Sequence, residues 1–287
     1  MSAAAISPPA GKEIGLADLR MELDRIDREM QALLIERSRV TDRVEDVKRR
    51  AGTAGSAFRP GREADIMRML AQRHEGSYPF DGTENIWRVI IATSTYTQVP
   101  FRVHGDVSGG DAAIRDCVRF HFGFTVPFVP ETSAPAVIES VARAPSDLGV
   151  FPLNQSLETG AWWRLLHGDD RPKIIVRLPF VTRPNHPSGM PAFVIAQPLK
   201  EAAVREEIVA SLTLERWRPE VPDALNALAA RVEASAGIES GLSLLVTHPG
   251  HVAPSAIVAA ARAAGCHARY DEVGSHAAPY AFDTAKS

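Results

Sequence analysis

Cysteine is nearly missing from these 287 residues: Cys117 and Cys266 are the only two, far apart and in no CxxC pair. Their scarcity excludes a disulfide framework and a thiolate zinc site, and leaves two reduced, buried thiols as the expectation. Charge of one sign is not in excess either. Lys and Arg number 32 against 35 Asp and Glu, a formal net charge of -3, so no basic field exists to draw a phosphate backbone, and nucleic acid is not an expected partner. No stretch approaches the ~20 apolar residues that cross a bilayer. The opening MSAAAISPPAGKEIG also lacks a basic segment leading into an apolar one. The expectation is a cytoplasmic protein with no membrane contact. Disorder is excluded by composition, because 45% hydrophobic residues against 23% charged is globular.

The clearest pattern that is present runs from Leu16 to Arg50. Leu19, Leu23, Ile26, Met30, Leu33, Arg37, Val40, Val44 and Val47 recur at steps of three or four, with no proline or glycine between them. The pattern predicts a helix about 50 Å long at 1.5 Å per residue, too long for so small a domain to bury alone, which argues for a partner chain. Ala51-Gly52-Thr53-Ala54-Gly55-Ser56 breaks it. Pro60 is placed for the first turn of a second helix to about Arg73. After Tyr78-Pro79-Phe80-Asp81-Gly82, a third helix is predicted from Thr83 or Glu84 to Gln98.

Several polar residues on these helices have no obvious structural use. Arg37 and Lys48 are eleven residues apart, so they fall within about 20° of each other, roughly three turns apart. Arg20 precedes Arg37 by seventeen residues and points about 100° away, so a single helix does not aim all three cations at one point. A second subunit can supply the third. Ser94 and Gln98 share a face of the third helix, while Arg62 and Glu63 sit together early in the second.

The segments LRMELDRIDREMQALLIERSRVTDRVEDVKRR, RPGREADIMRML and IWRVIIATSTYTQ together resemble the small helical chorismate mutases that form the N-terminal half of bacterial bifunctional proteins. The resemblance covers about 16–101, with a first loop two residues longer. It implies a three-helix, intertwined dimer over residues 14–101, with two sites that each draw one arginine from the partner's long helix. By position it makes Arg20 the partner's arginine and places Arg37 and Arg62 in the site from within the chain. Lys48 matches the lysine that binds a carboxylate and the ether oxygen, and Gln98 the amide at that oxygen. Glu63 matches the acid that holds the ring hydroxyl, and Ser94 a hydroxyl near a carboxylate. Where the family often has an aspartate, this chain presents Arg59, which changes the local charge balance.

The implied reaction explains these residue types. Chorismate is a flexible dianion that rearranges to prephenate in one pericyclic step, so no cofactor, metal or nucleophile is implied. Arginines clamp the two carboxylates in the compact, near-attack conformer. Donors at the ether oxygen stabilise the charge that grows there as the C–O bond breaks. The expected product serves phenylalanine and tyrosine biosynthesis.

After Pro100 the chain changes character. Short β-rich runs at Phe101–His104, Leu148–Phe151, Ile174–Leu178 and Phe193–Ala196 alternate with helical stretches at 111–121 and 134–144, an α/β reading. A helix–strand–helix–strand unit is predicted from 220–236, Leu242–Thr247, 253–264 and His267–Glu272, with a loose tail after Ala277. His248-Pro249-Gly250-His251 reads as a surface loop, and Trp162-Trp163 as core. Asp147-Leu148-Gly149-Val150-Phe151-Pro152-Leu153-Asn154-Gln155-Ser156 resembles the strand that ends in Pro-Ile-Glu-Asn-Ser in prephenate dehydratases. The fold class is therefore α plus α/β: the helical dimer domain, then over 102–287 a smaller α/β domain resembling part of prephenate dehydratase. Asn154-Gln155 stands in place of Glu-Asn, and Pro191-Ala192-Phe193 has neither the threonine nor the arginine of that family's Thr-Arg-Phe. A degenerate or remodelled domain is implied. Two alternatives stand beside a simple mutase: a bifunctional mutase and dehydratase, and a non-catalytic regulatory protein on a mutase scaffold.

Overall fold

The computed structural model describes residues 14–50, 58–153, 160–199 and 203–282, the side chains of Lys48 and Arg49 excepted. The break at 51–56, the Asn154-Gln155-Ser156 motif and the N-terminal thirteen residues lie outside the described residues. The chain divides into two units, Met1–Ala54 and Gly55–Ser287.

The described residues of the first unit form one helix, α1 (Leu16–Arg50), with the bounds that its uninterrupted period predicts. Asp18 Oδ2 accepts the Gly15 N–H at 3.1 Å, which satisfies a donor at the helix start and sets a negative charge by the positive end of the dipole. Its apolar stripe is exposed: Leu23 60%, Met30 52%, Leu33 63%, Val44 47% and Val47 64%. Such a stripe on an amphipathic helix is a surface made for another element to cover.

The second unit opens with α2 (Pro60–Arg73) and α3 (Phe80–Gln98). On α2 the buried residues Pro60, Ala64, Met67 and Ala71 repeat at steps of three and four. Helix α3 begins at Phe80, three residues before the sequence expectation. Pro79 has extended backbone at its N-cap, and Asp81 and Gly82, read from sequence as turn residues, form the first turn instead.

Among the described residues a nine-stranded sheet follows, in the order β2 (Phe128–Glu131), β1 (Val103–Asp106), β3 (Leu148–Pro152), β6 (Ala192–Ala196), β4 (Lys173–Leu178), β10 (Ala268–His276), β7 (Glu207–Leu214), β9 (Gly241–Pro249) and β8 (Arg231–Ile238). Its first part comprises β1 (Val103–Asp106), α4 (Asp111–Phe122), β2 (Phe128–Glu131), α5 (Ala134–Arg143) and β3 (Leu148–Pro152). Here β1 pairs in parallel with both β2 and β3, the arrangement that crossover helices produce. Strands β4 (Lys173–Leu178) and β6 (Ala192–Ala196) extend it antiparallel, and β5 (Val181–Thr182) lies in the loop between them.

The second part corrects the sequence reading. The stretch 220–236 is not one helix but a short α6 (Val221–Asn226) followed by the strand β8 (Arg231–Ile238). Ala229, with φ at 55°, turns the chain between them. A strand without a sequence counterpart, β7 (Glu207–Leu214), precedes them, and β9 (Gly241–Pro249), α7 (Pro254–Ala263) and β10 (Ala268–His276) complete a βαββαβ unit. Its strands lie in the order fourth, first, third, second, as in ferredoxin-like folds. The tail is also ordered where described, because β11 (Tyr280–Ala281) pairs in parallel with β5.

The two parts of the sheet meet where β10 runs parallel to β4 at Gly274 and Ile174. Gly274 has φ at +154°, and a Cβ there would come within 2.2 Å of the Ile174 carbonyl oxygen. Only glycine permits that approach. Trp163, in a 3-10 turn over Trp162–Leu166, is buried beneath the sheet and donates from Nε1 to Ser243 Oγ at 2.9 Å, the core role expected of it. His248 corrects the surface-loop reading: it is 1% exposed, at the end of β9, with Nε2 2.9 Å from the Tyr270 hydroxyl.

Candidate functional site

The expected site residues fall on three helices. Arg20 and Arg37 lie on α1 with exposed side chains, and Lys48 lies in its last turn. In the second unit, Arg59 occupies the position before α2 and its Nη1 donates to the Phe58 carbonyl at 3.2 Å. Arg62, in the first turn of α2, is exposed, so its guanidinium is available to an anion.

Glu63 is the next residue and turns the other way. It is 15% exposed, and its Oε2 accepts from Arg88 Nη1 at 2.8 Å. Near the end of α3, Ser94 and Gln98 are brought together as the four-residue spacing requires: Gln98 Nε2 donates to the Ser94 carbonyl at 3.0 Å. Ser94 Oγ donates to the Ile90 carbonyl at 2.7 Å, one turn back along its own helix.

Sequence reasoning missed the polar seam behind these residues. Along the buried stripe of α3, Phe80, Glu84, Arg88, Ile91 and Ala92 follow one another. Glu84 is fully buried, and its Oε2 accepts from Arg183 Nη1 at 2.6 Å and from His186 Nε2 at 3.1 Å. His186 Nδ1 accepts from the Ser188 N–H at 3.1 Å, which puts the ring proton on Nε2, facing the carboxylate. Arg183 Nε reaches Asp81 Oδ1 at 2.7 Å. His121, on α4, completes the seam and is fully buried. Burial first, then the positive charge of the nearby Arg88, hold it well below the ordinary histidine range. The available signal was Glu84 and Arg88, charged residues four apart on an otherwise apolar face.

A second tie joins α2 to the ferredoxin-like unit. Arg68 meets Glu206 through both guanidinium nitrogens, with Nη1 to Oε1 at 3.0 Å, and Nη2 donates to the Ala278 carbonyl at 2.8 Å. The pairing holds the Glu206 carboxyl below its usual range, chiefly through the Arg68 hydrogen bond. Among the described residues, no group of three His, Cys, Asp or Glu side chains is placed to hold a metal ion, and no helix is long and apolar enough to cross a membrane.

On α2 and α3, Arg62 and Gln98 are donors suited to a carboxylate or an oxygen acceptor, and Glu63 is an acceptor suited to a hydroxyl. The match to a known family agrees: residues 19–99 fit the model of chorismate mutase type II. The N-terminal part of the chain therefore carries a chorismate mutase type II domain. The bifunctional chorismate mutase/prephenate dehydratase of Aquifex aeolicus (strain VF5) is 27% identical over 147 residues, covering 50% of this chain and 40% of that protein. Its counterpart from Pseudomonas aeruginosa is 26% identical over 147 residues, with the same coverage of 50% and 40%. The chain thus spans about 40% of the length of the curated relatives it matches. A prephenate dehydratase structure from Streptococcus mutans superimposes with a TM-score of 0.39 at 13% identity, over 63% of this chain and 98% of that one.

Proposed function

We propose that residues 14–101 act as a chorismate mutase, converting chorismate to prephenate for aromatic amino acid biosynthesis in the cytoplasm. The observation that carries this reading is the family match over 19–99, within which Arg20, Arg37, Lys48, Arg62, Glu63, Ser94 and Gln98 all fall. Arg37, Arg62 and the partner's Arg20 position clamp the carboxylates of the dianion, Glu63 accepts the ring hydroxyl, and Ser94 lies by a carboxylate. Lys48 and Gln98 supply donors at the ether oxygen, where negative charge develops. Arg59 adds a cation at the rim. The enzyme works as a homodimer that shares Arg20 across its interface, which accounts for an apolar stripe on α1 left exposed in a single chain. Residues 102–287 form the accompanying α/β domain.

The test is loss of chorismate absorbance with purified protein, the product identified by acid conversion to phenylpyruvate. Prephenate formation abolished in Lys48→Ala supports the reading, and a folded protein without turnover defeats it. A second reading, a bifunctional mutase and dehydratase, is favoured by the two relatives, whose alignments run well past the helical domain. Phenylpyruvate formed from prephenate at neutral pH distinguishes it.

A further inference from the structure

Arg88 is 2% exposed, and a buried guanidinium requires a partner. Its Nη1 bonds Glu63 Oε2 at 2.8 Å, its Cζ lies 4.7 Å from the centre of the Phe180 ring, and its Nε has no acceptor among the described residues. Glu63 is less deeply buried, its side chain 15% exposed. With one oxygen drawn inward by Arg88, its other oxygen, Oε1, takes no hydrogen bond among the described residues.

The geometry points to Arg88 as a positioning residue that anchors Oε2 of Glu63 and leaves Oε1 as the acceptor offered to a substrate hydroxyl, an inference that rests on the mutase reading. A glutamate with neither oxygen held spreads over several rotamers, and ordering it on binding costs side-chain entropy. The charge-assisted bond to Arg88 removes that freedom beforehand. Arg88 is itself held from two sides. Phe180 lies under its guanidinium, and one turn earlier Glu84 fixes α3 to Arg183 and His186. The segment from Phe180 to Ser188 belongs to the α/β part of the chain, so that part supports a carboxylate of the helical part.

Chorismate kinetics of the full chain test this through Glu63→Gln, Arg88→Gln, Arg88→Lys and the Glu63→Gln/Arg88→Gln pair, each checked for folding by circular dichroism. Arg88→Gln is expected to lower kcat/KM roughly ten- to a hundredfold. Arg88→Lys, which retains a donor to Oε2, keeps part of that. The double variant loses no more than Glu63→Gln alone, because both substitutions disable the same carboxylate. If Arg88→Gln does not fold, Arg88→Lys combined with Glu63→Gln gives the same cycle with the buried cation kept. Additive losses, or unchanged kcat/KM in a folded Arg88→Gln, overturn the positioning role alone. A wild-type chain without turnover removes the mutase reading, and this role with it.

Discussion

Replacing His121 by leucine should stabilise this protein, and increasingly so as the solution becomes acidic. The ring is fully buried in the apolar face of α4, beside Ile114, Cys117, Val118 and Phe122. It lies parallel to His186 at 6.0 Å and edge-on to Phe120 at 5.0 Å. Neither ring nitrogen has a hydrogen-bond partner among the described residues, and each buried polar atom left unsatisfied costs about 1–3 kcal/mol. Leucine has a similar volume and no such atoms, so at pH 7.5 the variant should be more stable by about 1–3 kcal/mol. The pH dependence follows from the depressed value of His121 in the fold. The unfolded chain takes up a proton near pH ~6.5 that the folded chain takes up only at lower pH, so stability falls as pH drops, by at most about 1.4 kcal/mol per unit for this one group. Between pH 7.5 and 5.0 the advantage of leucine should therefore widen. His276 and His248 are also lowered, chiefly by burial, but both proteins share them and they cancel in the difference. Urea unfolding at the two pH values, followed by tryptophan fluorescence, measures both quantities. A variant less stable than wild type at pH 7.5, or a difference that does not change with pH, would refute the reasoning.

Two other outcomes follow from buried polar groups. Arg183→Met leaves the fully buried Glu84 without its cation, and melting curves should show a loss of about 3–5 kcal/mol, whereas an unchanged midpoint means that Glu84 has another source of stabilisation. Burial pushes the Cys117 thiol up to about 12, so a disulfide-exchange reagent at pH 8 should label it only after denaturation; rapid labelling of the native Cys117 contradicts its placement.

The parts of the fold that were legible are those whose signal is local. Helix α1 could be bounded to the residue because nothing breaks its period from Leu16 to Arg50, and α2 because Pro60 marks its start. The stretch after Val221 misled because Ala224, Ala227, Ala229 and Ala230 favour helix locally, while Arg231–Ile238 becomes a strand through pairing with β9. Strand β7 is buried on both faces along Ile208–Leu212, so it lacks the alternation that marks a half-buried strand. Strand β11 depends on pairing with β5, about a hundred residues away, which no local pattern encodes. In the candidate site, Arg62, Ser94 and Gln98 lie on the helices expected of them. Arg88 escaped notice because its partner is on another helix, although Glu84 and Arg88 on a buried stripe were a visible anomaly.

The proposed site is completed by a second copy of the chain, and mixing two inactive variants tests that most directly. Arg20→Ala and Lys48→Ala should each abolish chorismate turnover. Unfolded and refolded together in equal amounts, they should regain about a quarter of wild-type specific activity, because half of the dimers are mixed and each holds one intact site of two. No recovery, with mixed dimers demonstrated by a tag on one variant, would contradict the shared site.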